Sequence, residues 1–80
     1  MSPQHCNEQI DVLATFTAGG VRPYSMKWDG HRYEPLQVHM THTVRDGRKL
    51  WHVFSCSDPA NSFTIAFNPF DLRWQLWEYA

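Results

Sequence analysis

The stretch YSMKWDGHRYEPLQVHM, Tyr24 to Met40, contains two features that decide the fold: an Asp-Gly pair and a proline that follows it. Asp-Gly between β-prone runs is the strongest short hairpin signal, because glycine tolerates the positive φ of a primed turn. With Asp29-Gly30 as a two-residue loop, Trp28 faces His31, Met26 faces Tyr33 and Tyr24 faces Pro35. Tyr24, Met26, Trp28 and Tyr33 then share one face, and Ser25, Lys27, Arg32 and Glu34 share the other. Side chains alternate with a period of two, so this sorting supports the register. Past Tyr33 the apolar phase slips by one, to Leu36, Val38 and Met40, with Pro35 at the switch. Proline in a β-run marks an edge or a bulge, and a bulge bends its strand. The reading is one long bent strand that curls the sheet toward a barrel.

The rest of the chain agrees. Turn residues recur every eight to twelve positions with β-rich runs between, and no helical periodicity shows. Ile10, Val12, Ala14 and Phe16 alternate ahead of Gly19-Gly20. Asp46-Gly47 returns a second hairpin into Lys49–Ser57, with two registers open. A two-residue loop puts Val38, Met40, Val44, Trp51 and Val53 on one face, interrupted by His42. A three-residue loop instead joins Leu50, Phe54 and Cys56 to Val38 and Met40. Phe63, Ile65 and Phe67 alternate next, then Asn68-Pro69-Phe70-Asp71 turns the chain. The last strand sets Leu72, Trp74 and Leu76 against Arg73, Gln75, Trp77 and Tyr79. The expected fold class is all-β: a six-stranded antiparallel meander curled into a small, partly open SH3-like barrel over residues 10–80. Residues 1–9 are expected to be a flexible segment.

With 80 residues, the chain has room for a single core. Net charge is −1, which favours neither a nucleic-acid binder nor a membrane-surface protein. Residues 21–50 nevertheless carry six basic side chains against three acids, and Arg45, Arg48 and Lys49 cluster at the second hairpin tip. No apolar run reaches the ~20 residues of a membrane span, and the start of the chain lacks signal-peptide features. With two cysteines and no disulfide framework, the expected setting is cytoplasmic.

No catalytic set emerges, because the aspartates fall at turns, where Asp serves the backbone. His39, His52 and Cys56 are the metal candidates. In the two-residue register His39 lies diagonal to both others, at roughly 7–8 Å between Cα atoms. The three-residue register separates His39 from His52. A structural zinc takes four ligands and a catalytic one three, so surface histidines are the competing reading and no cofactor is expected. Binding is better motivated: Trp77 and Tyr79 sit with Arg73 on the polar face of the last strand, and these residue types are enriched at interface hot spots.

The pattern Trp28-x-Gly30-x-x-Tyr33, Trp51-x-Val53, Phe63-x-Ile65-x-Phe67 and Trp74-x-Leu76 resembles a family of short bacterial all-β proteins of unknown function with a W-x-G-x-x-Y hairpin. The resemblance covers residues 10–78 and rests on aromatic core positions. It implies a compact β-fold and, for some members, a genomic setting beside translesion-type DNA polymerases; it assigns no catalytic residues. The resulting expectation is a non-enzymatic protein-interaction module that binds through Arg73, Trp77 and Tyr79 with the tip Arg45, Arg48 and Lys49. Self-association through an edge strand is a further expectation. The alternatives are weak single-stranded nucleic-acid binding in a DNA-repair context and a small zinc-binding protein.

Overall fold

In the computed structural model, which describes residues 4–80 and side chains from Cys6 onward, the chain forms seven strands. They are β1 (Gln4–Thr17), β2 (Gly20–Trp28), β3 (His31–Tyr33), β4 (Gln37–Asp46), β5 (Lys49–Ser57), β6 (Ser62–Asn68) and β7 (Arg73–Tyr79). All pairings are antiparallel, in one sheet of order β3-β2-β1-β7-β6-β5-β4. No described helix is long and apolar enough to cross a membrane. The all-β expectation holds. The count of six does not, because the segment around Pro35 is a break and not a bend. Proline has no N–H for a ladder, so β3 ends at Tyr33 and β4 starts at Gln37.

That break sets the topology. β3 and β4 are consecutive in the chain yet lie at opposite edges of the sheet. The sheet is a meander whose first and last strands are joined, β1 to β7, and which stays open between β3 and β4. One backbone hydrogen bond, Leu36 N–H to the Tyr24 carbonyl at 2.8 Å, ties the crossover back to β2. The Cα atoms span 32 × 27 × 23 Å, far too thick for a flat single sheet.

The bend lies in β1. Residues 4–10 pair with β7 and residues 11–17 pair with β2, with no overlap, so β1 turns the corner between two ladders. The strand therefore begins earlier than the pattern from Ile10 suggested. Residues 1–3 of the segment expected to be loose lie outside the described residues. Gln4 to Gln9 are polar, but ladder pairing uses backbone groups, and Cys6 reaches the core and donates to the Leu76 carbonyl at 3.3 Å.

The first hairpin pairs as its residues predict: Trp28 with His31, Lys27 with Arg32 and Met26 with Tyr33. Asp29 (φ 52°) and Gly30 (φ 79°) both take the left-handed conformations of a type I′ turn. The expected face breaks at Tyr24. The β1–β2 register shifts between Leu13 and Ala14, so Leu13 faces Ser25 while Ala14 faces Pro23. Tyr24 is the extra residue and is exposed, and Ser25 is buried in its place. The Ser25 hydroxyl donates to Glu34 Oε1 at 3.0 Å and accepts from Arg32 at 3.2 Å.

The concave face carries the main core: Ile10, Met26, Leu36, Phe54, Cys56, Phe63, Ile65, Phe67, Trp74 and Leu76. Aromatic rings close one mouth of this concavity. Tyr33 meets Phe63 edge-on at 5.2 Å, and Trp28 lies 4.7 Å from Tyr79. Trp28 also donates its indole N–H to Glu8. Both hairpin aromatics are half-buried members of the core. The convex face carries a second, smaller cluster of Trp51, Val53 and Ala66, with Val44 and Trp77 against it.

Candidate functional site

The β4 edge is where the fold leaves chemistry unfinished. The second hairpin closes on Asp46 and Lys49, with Gly47-Arg48 as its two-residue loop. Gly47 has φ 61° at the first loop position, the type II′ arrangement. The closing pair of such a hairpin exchanges both backbone hydrogen bonds, and bonded pairs then alternate. Asp46, Val44, His42 and Met40 therefore aim their backbone groups at β5. Arg45, Thr43 and Thr41 aim theirs away from the sheet.

Side chains follow the same parity. Met40, His42 and Val44 stand on the convex face, where Val44 packs against the Trp51 cluster and Met40 is 63% exposed. Thr41 and Thr43 stand on the concave face opposite Phe54 and His52. With the Gly19-Gly20-Val21 turn they line a groove of about 350 Å³ along the open seam. At the other end of β4 the register shifts between Val38 and Met40, leaving His39 as the extra residue. Past that point Val38 faces Cys56 and joins the main core. The loop is Gly47-Arg48 and not Asp46-Gly47, so the expected two-residue pairing is displaced along β5, although Met40, Val44, Trp51 and Val53 still share a face; beyond the bulge Val38 pairs with Cys56 as in the three-residue register.

The predicted site residues fall in three places. Arg45, Arg48 and Lys49 stay together at the exposed hairpin tip, directly beyond the free edge. Arg73 is exposed and donates to Gln9 at 3.4 Å. Trp77 keeps to the face of β7 that carries Arg73 and Gln75, but Tyr79 does not. The β6–β7 register shifts between Thr64 and Ile65, so Ile65 faces Leu76 while Thr64 faces Glu78, and Trp77 becomes the extra residue. Trp77 lies on the convex side, edge-on to Trp51 at 5.6 Å, with its indole N–H donated to Gln75 at 3.0 Å. Tyr79 packs into the concave core against Trp28.

The metal candidates are not brought together. His39, on its bulge, lies 2.7 Å from the Ser57 hydroxyl. His52 lines the groove, and Cys56 is buried in the core. Among the described residues no three His, Cys, Asp or Glu side chains are grouped to hold one ion. Burial pushes the Cys56 thiol up to about 12, with the Asp58 carboxylate adding to the effect. Cys6 is also raised, chiefly by burial; the backbone N–H of Glu8 works against the shift and the Glu8 charge with it. Neither cysteine is activated as a thiolate nucleophile.

The residues that sequence reading missed are Met40, Thr41, His42 and Thr43. Their signal was present as a run from Gln37 to Val44 without a Lys, Arg, Asp, Glu or Pro, but nothing local says the strand is an edge. Comparison with known proteins yields no match: no family model, no curated protein and no solved structure matches the chain.

Proposed function

We propose that this protein is a non-enzymatic interaction module, a partly open SH3-like barrel that takes an extended segment of a protein partner onto the free edge of β4. The observation that carries this reading is the asymmetry of the two sheet edges. β3 has three residues and runs into Pro35, and the part of β2 that it leaves uncovered carries Pro23, whereas β4 has ten residues and no proline. Natural sheets blunt their edges with short strands, proline, lysine or inward charges. β4 has only its bulge at His39, and past it the strand runs on unprotected. A row of free donors and acceptors supplies affinity in strand addition, and side pockets supply selectivity. Here Met40, His42 and Val44 flank the incoming strand on the convex side, and the Thr41–Thr43 groove flanks it on the other. The tip Arg45, Arg48 and Lys49 would favour a segment with an acidic end. Two free cysteines suit a reducing cytoplasm.

Edge docking is favoured over nucleic-acid binding because the net charge is −1 and the four tryptophans and Tyr79 pack on one another or on the core. The test is selection from a displayed peptide library, followed by binding to Thr43→Pro. Thr43 directs its N–H outward, so proline there removes an edge donor while sparing the β5 ladder. Extended, β-prone binders that lose at least tenfold in affinity on Thr43→Pro are expected. Binders indifferent to that change, or none at all from a chain that stays monomeric, would refute the edge reading.

A further inference from the structure

We infer that the occupant of the β4 edge is a second copy of this chain, paired antiparallel about a two-fold axis through His42. The inference rests on the edge reading above and specifies its partner. Backbone parity allows only registers in which outward-facing residues meet outward-facing residues. Centring on His42 sets Thr41 against Thr43 of the copy, and Thr43 against its Thr41, each pair exchanging both backbone bonds. On the convex face it sets the exposed Met40 against Val44 of the copy, which packs on the Trp51 cluster. Two methionines thereby leave water on apolar neighbours. Threonine pairs and apolar pairs are the favourable cross-strand combinations. Centring on Thr41 instead sets Met40 against His42. Centring on Thr43 sets Val44 against His42 and Thr41 against Arg45. Only the His42 register matches like with like along Met40–Val44.

Charge agrees with the same geometry. Between Gln37 and Val44 no Lys, Arg, Asp or Glu opposes an identical strand. Antiparallel pairing about His42 carries the two Arg45 side chains about six residues apart, roughly 20 Å, well beyond a screening length of about 8 Å. Parallel pairing would lay the two basic tips side by side. The His39 bulge ends the flat ladder at Met40 and so limits how far the register can slide.

At the axis the two His42 residues form a non-bonded pair, with Cα atoms about 4.5 Å apart, within the span a disulfide bridges. The experiment uses the full chain. Sedimentation from micromolar to millimolar protein is expected to move the mass from 9.4 kDa toward twice that value. His42→Asp sets two carboxylates on the axis and is expected to weaken association at least tenfold with an unchanged circular dichroism spectrum. For the register, His42→Cys, Thr41→Cys and Thr43→Cys are compared on a Cys6→Ser background. Oxidised glutathione is the oxidant, so each bridge formed reduces one glutathione disulfide to two thiols. Position 42 is expected to cross-link to itself fastest. A folded protein that stays monomeric at millimolar concentration, or faster cross-linking at 41 or 43, overturns the inference. A monomer that still binds library peptides in a Thr43-dependent way overturns self-pairing alone; a monomer that binds none takes the edge reading down with it.

Discussion

At the seam between β1 and β7 the two ends of the chain are zipped by a backbone ladder, with Ile10 facing Trp74 and Glu8 facing Leu76. At the seam between β3 and β4 the ladder is missing, and side chains fill the gap: Leu36 as a plug, Tyr33 on Phe63, and the Ser25–Glu34–Arg32 contacts. Both seams join residues that the curl of the sheet brings near each other. The first satisfies its peptide groups internally, and the second leaves the outward backbone groups of Thr41, Thr43 and Arg45 without a strand beside them. In a small sheet, then, a single ladder-breaking proline can decide which seam stays open.

The largest expected contrast is in stability. Leu76 is fully buried beside the closed seam, so Leu76→Ala should cost about 4 kcal/mol, near the top of the range for buried leucines. Leu36→Ala removes a plug that lines only one side of the open seam and should cost about 2–3 kcal/mol. Urea midpoints measure both, and a Leu36 loss equal to that of Leu76 would break the comparison.

Alkaline pH probes the open side from within the core. Cys56 faces Val38 across β4 and β5, and its thiol is held up to about 12, first by burial and then by Asp58. An unfolded cysteine ionises near 8.5. Above that pH the unfolded chain binds fewer protons than the folded one, so stability falls as pH rises, at most about 1.4 kcal/mol per unit. The loss continues until the folded thiol itself ionises. Between pH 8.5 and 10 the wild type should lose about 1–2 kcal/mol more than Cys56→Ala, read from paired denaturant titrations.

A smaller effect attends Ser25→Ala. The hydroxyl is fully buried, but its partners Glu34 and Arg32 are about half exposed and regain water when it is removed. A loss of about 1 kcal/mol is expected. A loss like that of Leu36→Ala would mean that polar contacts, and not the apolar plug, hold the crossover.

How much of this is legible in the sequence depends on how local each cause is. The Asp29-Gly30 register could be read because two residues determine the turn. Alternation identified Ile65, Phe67, Trp74 and Leu76 as core for the same reason. The bulges at His39 and Trp77 have no glycine or proline beside them, and Pro23 marks the one at Tyr24 without saying which residue leaves the ladder; each bulge moves the residues beyond it to the other face. That is why Tyr24 is exposed, why β4 uses two registers, and why Trp77 and Tyr79 part company. The free edge was least legible. It follows from the β1–β7 pairing, a meeting of residues some seventy positions apart, and no short window of sequence contains it.

The finest contrast lies within β4 itself, residue by residue. Amide hydrogens of His42 and Val44 are bonded to β5, while those of Thr41 and Thr43 face out. Hydrogen exchange at low protein concentration should therefore alternate along the strand, fast at 41 and 43 and slow at 42 and 44. Proline reports the same parity: Thr43→Pro should change stability by less than about 1 kcal/mol, whereas His42→Pro removes a ladder bond and should cost about 3 kcal/mol or more. Raising the protein concentration should then slow exchange at Thr41 and Thr43 alone, because only those amides gain a partner when a second strand docks. Uniform exchange along residues 40–44, or equal damage from the two prolines, would mean that β4 is not held by β5 in the alternating way on which the difference between the two seams depends.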